Sequence, residues 1–445
     1  MQHCPNSPLA IARRLPLLPA WAVTCTAIFC CAWGGNQFTP LLTLYRQANG
    51  YSATVVDALL GAYVLGLAPA LVMGGALSDR RGRRRCMVLA LALSGLGSAS
   101  LALDSLLFLG FGRFLSGAAL GLGMAVGTSW VTELTVEGGR TLARGARRAS
   151  ISLTAGFGAG AGVAGVLAQW GPRPESVPYL AHMALTVVAL TAVLRWCPRT
   201  PPLVAGRARA AGPRMPSIHH RRFRKLVLPM APWVFGAAGV AYAILPQTMA
   251  GRMRHWALIY ATLLTVVTLG TGVLAQPVAR RLDHPQYPRA IIVAMVAVST
   301  GIAVAALSVA LGSPWVGVAA AVVLGLAFGL ALVAGLVEVQ RVSHPDDKFA
   351  LTGVYYALTY VGFLLPTAVA VAGRWAPTDL ELCVLSVLAL ASTLLIATGW
   401  SMPPAQSHPA PAHGAALAEV VSSLARLGPA SVSGAGNGAA MSGNA

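Results

Sequence analysis

Residues 54–85 read TVVDALLGAYVLGLAPALVMGGALSDRRGRRR. The 24 residues from Thr54 to Leu77 hold one charged side chain, Asp57, whereas six of the eight from Ser78 to Arg85 are charged. About 20 apolar residues suffice for a helix to cross the hydrocarbon of a bilayer. A burst of arginine behind such a run marks an end held on the cytoplasmic side. Eleven more apolar runs follow the same rule, near 20–44, 86–103, 105–134, 149–170, 177–196, 226–249, 255–279, 289–311, 314–338, 350–373 and 380–400. They lack the period-two alternation of barrel strands, and lipid leaves helices as the other way to satisfy a spanning backbone.

Composition agrees. The chain is 56% hydrophobic and 10% charged, with a mean hydropathy of +0.67. That composition excludes a water-soluble enzyme and a disordered protein. The balance of 32 Lys+Arg against 13 Asp+Glu raises nucleic-acid binding as an option, but no aromatic residues interleave the basic loops. With the N-terminus inside and twelve alternating helices, 26 basic residues fall on the cytoplasmic side and five outside. This bias predicts both termini inside and accounts for the charge with no nucleic acid as partner. The seven cysteines form no CxxC pair and no metal-ligand spacing, so they read as small hydrophobes and no metal is expected. Thirty Arg against two Lys suggests a GC-rich bacterium, and hence its cytoplasmic (inner) membrane.

The expected architecture is an all-α polytopic membrane protein, with twelve transmembrane helices in two pseudo-symmetric six-helix bundles. Residues 1–19 form a cytoplasmic N-terminus and 20–197 the first bundle. Residues 198–225, rich in Pro and Arg, form a flexible cytoplasmic linker, 226–400 the second bundle, and 401–445 a disordered cytoplasmic tail with a possible short helix at 415–427. Internal repetition supports duplication. Glu133 and Glu338 are 205 positions apart, Pro40 and Pro246 are 206 apart, and the ends of runs two and eight, from Gly75 and Gln276, are 201 apart.

The stretch Gly75-Ala76-Leu77-Ser78-Asp79-Arg80-Arg81-Gly82-Arg83-Arg84 resembles the loop 2–3 signature of the major facilitator superfamily, G-x-L-(A/S)-D-R-x-G-R-(R/K). The resemblance extends to about residue 400. Read physically, Gly75 admits a neighbouring helix, Gly82 permits a tight turn, and Asp79 is held by charge-assisted bonds among arginines. Glu133 is placed to share Arg83 or Arg84. The resemblance implies that Asp79, Arg80, Arg83 and Glu133 form a gate contact between halves. The second half keeps only Gln276-Pro277-Val278-Ala279-Arg280-Arg281-Leu282-Asp283. Arg280 stands where Asp79 does, so a second gate cannot use the same carboxylate.

Arg113, in Leu109-Gly110-Phe111-Gly112-Arg113-Phe114-Leu115-Ser116-Gly117, resembles the family's fourth-helix arginine, linked to substrate or proton coupling. An arginine at membrane depth costs ~3 kcal/mol and takes a partner. Asp57 has a similar expected depth, so the two are expected to pair and carry protons. The competing reading makes Asp57 a helix cap, a role that Ser52 or Thr54 fills equally well. Glu338 with Arg341 reads as an interface pair. His182 and His255 read as surface or packing histidines near the outer side. The glycines at 156, 158, 160, 162 and 165 lack the proline of the family's antiporter motif and read as close helix packing.

In the family, helices 1, 4, 7 and 10 line a central cavity. That implies Trp33, Asn36, Gln37, Trp233, Tyr242, Gln247 and Tyr356 as cavity residues, with Tyr355 and Tyr360 beside them. Trp33, Asn36 and Pro40 share a helical face, and the 206 offset maps Asn36 onto Tyr242. No P-loop, catalytic triad or cofactor fingerprint is present. The expected function is not enzymatic. It is secondary active transport, most like the proton-coupled drug and small-molecule exporters (antiporter, efflux, multidrug resistance), with the proton gradient in place of a cofactor and a monomer as the working unit. The alternatives are an uptake permease for a sugar, nutrient or organic anion, and a non-transporting receptor or scaffold, for which Asp79→Asn would leave every activity intact.

Overall fold

The computed structural model of the chain describes residues 18–199, 216–344 and 347–398. The expected N-terminus up to residue 17, most of the linker and the tail lie outside the described residues. Among those described there are helices and turns and no strands. The helices are α1 (Ala20–Asn36), α2 (Leu42–Ala48), α3 (Ala53–Arg81), α4 (Arg83–Leu101), α5 (Leu106–Leu122), α6 (Thr128–Glu137), α7 (Leu142–Trp170) and α8 (Val177–Trp196). After the linker come α9 (Leu228–Gly239), α10 (Leu245–Met253), α11 (Ala257–Leu282), α12 (Arg289–Leu311), α13 (Pro314–Val342), α14 (Lys348–Val361), α15 (Leu365–Ala372) and α16 (Thr378–Thr398).

Among the described residues, nine helical segments are long and apolar enough to cross a membrane. One of them, Phe223–Leu282, has 60 residues, on the order of 90 Å if straight. It turns back at Arg254, whose φ is +47°. Several helices outrun their apolar stretch at the basic end. α3 continues to Arg81, α4 begins at Arg83 and α7 at Leu142, because arginine is a good helix former where lipid gives way to water.

α1 to α8 pack largely on one another, as do α9 to α13 and α16, while α14 and α15 lie against α3 and α11 against α7 across the two groups. The tightest pairs are α3 on α5 and α11 on α13. Both rest on glycine. A Cβ on Gly117 would run into the Tyr63 carbonyl, and one on Gly329 into the backbone of Gly272. Close backbone approach through small residues is how helices associate where lipid removes the hydrophobic drive. Gly75, expected to serve this purpose, faces open space, and its neighbour Gly74 meets Ala125 instead. Of the run-five glycines, Gly156 and Gly160 pack closely against α1 and Gly165 against Thr262 of α11, whereas Gly158 faces open space and Gly162 makes only ordinary contact with Val266.

Among the described residues, the end of the expected linker folds. Pro216–His219 forms a 3₁₀ turn, and Ser217 donates its N–H and hydroxyl to Asp347 at 2.9 and 3.0 Å. A Pro/Gly/Arg-rich composition carries no sign of such a long-range cap.

Candidate functional site

Ser52 caps α3, accepting from the Val55 N–H at 3.3 Å, so Asp57 is free for another role. Asp57 is buried in the first turns of α3. It does not pair with Arg113. Gln247 of α10 donates Nε2 to Asp57 Oδ1 at 2.8 Å, and Arg46 of α2 donates to Gln247 Oε1 at 2.7 Å. The amide thus relays between an acid and a base and ties α2 and α3 to α10. Nearby, Asn49 donates to Asp104 at 3.1 Å. Burial pushes the Asp104 carboxyl, in the loop before α5, above its usual range, although that bond opposes the shift.

Arg113 of α5 is 1% exposed and has no carboxylate partner among the described residues. It donates to the Gly35 carbonyl of α1 at 3.1 Å and to the Leu59 carbonyl of α3 at 3.4 Å. Its guanidinium carbon lies 4.3 Å from the Tyr63 ring centroid and 4.8 Å from that of Phe38. Carbonyl dipoles and ring faces therefore solvate this cation, and its full charge is left uncancelled.

Run one touches this arginine through Gly35 and Phe38, and the 3₁₀ turn that interrupts run one packs on a π turn of run seven. In run one, α1 ends at Asn36 and a 3₁₀ turn over Thr39–Leu41 carries Pro40. In run seven, a π turn over Val240–Ile244 precedes Pro246. Proline removes a backbone donor and clashes with the preceding turn, which accounts for the irregular turns beside Pro40 and Pro246. Phe38 and Tyr242 are buried beside these turns, Tyr242 6.2 Å from the ring of Phe363. There the two groups of helices meet through aromatic rings, Tyr63 lying 6.1 Å from Tyr360 and 6.0 Å from Phe363, while within the second group Phe235 stacks on Tyr360 at 4.2 Å.

Several expected cavity residues are engaged elsewhere. Trp33 sits against Phe29 and His182 at 5.7 and 6.3 Å. Asn36 donates to the Phe157 carbonyl of α7 and accepts from Thr39, both at 2.9 Å. Helix α1 stops at Asn36, so its face does not continue to Pro40. Gln37 donates to Ser98 at 2.8 Å. Trp233 donates to Ser392 of α16 at 3.2 Å, away from the centre. Tyr356 is half-buried beside Tyr355, Gln247 serves Asp57, and Tyr242 is central. His182 is fully buried, with Ser98 at 2.7 Å and the Cys30 carbonyl at 2.9 Å, and His255 is exposed beside Trp256. Sequence reading missed Phe38, Tyr63, Phe363 and Arg46. The paired breaks at Pro40 and Pro246 signalled Phe38. Nothing local signalled Arg46.

At the arginine-rich end, Arg83 grips Glu133 at 2.6 and 3.1 Å, donates to Ser78 at 3.1 Å and lies 3.8 Å from Asp79. Gly82 makes the turn with φ +86°. Arg84 donates to the Leu194 carbonyl, and Arg80 is exposed. All these partners belong to α3, α4, α6 and α8. The second group builds its own cluster. Arg341 binds Asp283 at 2.8 Å and pairs with Glu338, which also holds Arg222 at 2.5 Å. Asp283 thus supplies the acid that the substitution at Arg280 removed.

The sequence profile of the Major Facilitator Superfamily matches residues 24–367. No curated protein sequence matches the chain. The structure is similar to that of the nucleoside transporter NupG, with a TM-score of 0.66 at 12% identity over 87% of this chain and 100% of that one. It is also similar to a POT family transporter in complex with 5-aminolevulinic acid, with a TM-score of 0.69 at 12% identity over 85% and 95% of the two chains. The partially occluded, inward-open xylose transporter XylE from E. coli gives 0.65 at 12% identity over 87% and 98%. At such identity the likeness is one of fold.

Proposed function

The chain belongs to the major facilitator superfamily, and on that premise we propose that it is a proton-driven exporter of a small amphipathic compound in a bacterial cytoplasmic membrane. That it is a multi-pass membrane transporter, and not an enzyme, follows from the family and its fold. The proposal adds twelve spans with both termini inside, six-helix halves at 20–197 and 226–400 joined by 198–225, and a monomer that rocks about a midplane site. Asp57 is its proton-carrying group, reached from outside. Asp79, Arg83 and Glu133 shape the inner gate. The proton gradient supplies the energy, with no cofactor.

The observation that carries this reading is Arg113, an uncancelled buried cation against Phe38 and Tyr63, beside a run-one helix interrupted at Thr39–Leu41 whose turn meets a π turn near the matching place in run seven. Broken helices at corresponding places in two repeats mark the substrate site in such carriers, and aromatic walls with few polar groups suit a small ligand. The same arginine favours a second reading in substrate charge. With no carboxylate beside it, the site suits an organic anion better than a cation. The likeness to nucleoside and xylose transporters supports uptake as the second reading in direction.

The test is accumulation of one cationic and one anionic dye in cells expressing the protein, with the proton gradient intact or collapsed. Lower accumulation that needs both the gradient and Asp57 supports export, and the affected dye reports the charge preference. Raised accumulation moves the assignment to uptake. Unchanged accumulation of both dyes rejects amphipathic export.

A further inference from the structure

We propose that the cavity between the start of α1, the end of α6 and the start of α7 is a binding site for a phosphate group, that of an anionic glycerophospholipid. The cavity encloses about 460 Å³, and its lining includes Trp21, Leu134, Thr135, Gly138, Arg140 and Arg148. Among the described residues, no carboxylate lines it. Arg148 is oriented before any ligand arrives: its guanidinium carbon lies 3.4 Å from the Trp21 ring centroid, and Nη1 donates to Thr135 Oγ1 at 3.2 Å. A guanidinium has five N–H donors, so most remain for an anion. Arg140 is exposed on the same wall.

The charge here is uncancelled. Arg140, Arg144, Arg147 and Arg148 have no ion-pair partner among the described residues, and the nearby acid Glu133 is committed to Arg83. Glu137 is exposed at the end of α6 and does not line the cavity. α1 starts at the cavity without a side-chain cap or an acid in its first turn, so its dipole adds positive potential. Arginine forks match phosphate oxygens in geometry and charge. The apolar wall separates a lipid from a free phosphate. Trp21 and Leu134 flank the arginines where apolar helices reach their basic end, the level at which tryptophan and basic pockets meet headgroups. The inference is independent of what the carrier transports and in which direction.

The test is native mass spectrometry of the full-length protein titrated with phosphatidylglycerol, phosphatidylcholine or glycerol 3-phosphate. Retention of phosphatidylglycerol over phosphatidylcholine is expected. Arg140→Gln with Arg148→Gln should weaken it about tenfold or more, the scale of two arginine contacts at a membrane surface. Arg195→Gln, an exposed arginine outside the cavity, should leave it unchanged. Arg148→Lys keeps the charge and loses the fork, and should fall between, which guards against misfolding of the double variant. Binding of glycerol 3-phosphate with the same arginine dependence, without retention of phosphatidylglycerol, would establish the phosphate site and overturn its lipid assignment. Equal retention of both lipids, or retention indifferent to Arg140 and Arg148, overturns the proposal.

Discussion

Arg113 and Asp57 sit in one helical group and solve the same problem in opposite ways. Arg113 is solvated by two carbonyls and two rings, so no single partner neutralises it. Lysine keeps the charge but lacks the planar fork. Arg113→Lys should therefore preserve expression while transport falls by roughly tenfold, the factor set by ~1.4 kcal/mol, measured as initial uptake or efflux rate. Asp57 depends on one donor, the Gln247 amide. Gln247→Leu leaves a buried carboxylate without its hydrogen bond, at a cost of about 1–3 kcal/mol. Thermal unfolding of Gln247→Leu should show that loss, and Asp57→Asn combined with Gln247→Leu should restore part of it. Equal losses in the single and double variants would mean that Asp57 is not the group Gln247 serves.

Among the helices, contact depends on which glycines face a neighbour. Gly117 lies against the Tyr63 carbonyl, whereas Gly75 faces open space. Gly117→Leu should force α3 from α5 and destabilise by at least the ~1–3 kcal/mol of an overpacked core. Gly75→Ala should change stability by less than about 0.5 kcal/mol. Detergent-solubilised melting temperatures would rank the two. The signature loop places Gly75 among its defining positions, so any loss of transport in Gly75→Ala without loss of stability would assign that residue to a different conformation of the carrier.

Across the whole molecule, Arg46, Gln247 and Asp57 form a latch between the two helical groups at the end opposite the arginine clusters. Arg46 is linked to Asp57 through the Gln247 amide. Arg113 bonds the Leu59 carbonyl on the same helix but makes no contact with the carboxyl. Protonating Asp57 turns a charge-assisted bond into a neutral one and leaves Arg46 uncompensated. The latch should then loosen as pH falls. Spin labels on Gln47→Cys and Gly251→Cys, both exposed, should report a longer separation at acidic pH, and Asp57→Asn should hold the longer separation at every pH. A pH-independent distance in the parent protein would remove the latch.

The helices of this protein, and the family they belong to, were legible in the chain itself. Runs of apolar residues and bursts of arginine are local signals, and lipid enforces them because an unsatisfied backbone cannot survive in hydrocarbon. The signature at 75–84 was equally local, whereas the pairing of Glu133 with Arg83 spans 50 positions, and the sequence left the choice between Arg83 and Arg84 open. The partners of the buried polar groups were not legible. Gln247 was expected in a cavity and holds Asp57, Asn36 ties α1 to α7, and Trp233 turns outward to Ser392. Two helices of nearly uniform apolarity carry little periodicity to say which face meets which neighbour. That choice falls to the backbone approaches at Gly117 and Gly329 and to the breaks at Pro40 and Pro246. Sequence alone determined that the chain crosses a membrane as helices of a known family. Only tertiary packing decided which charges meet, because the cost of burying a charge in lipid is met by whichever dipole, ring or amide the fold brings within reach.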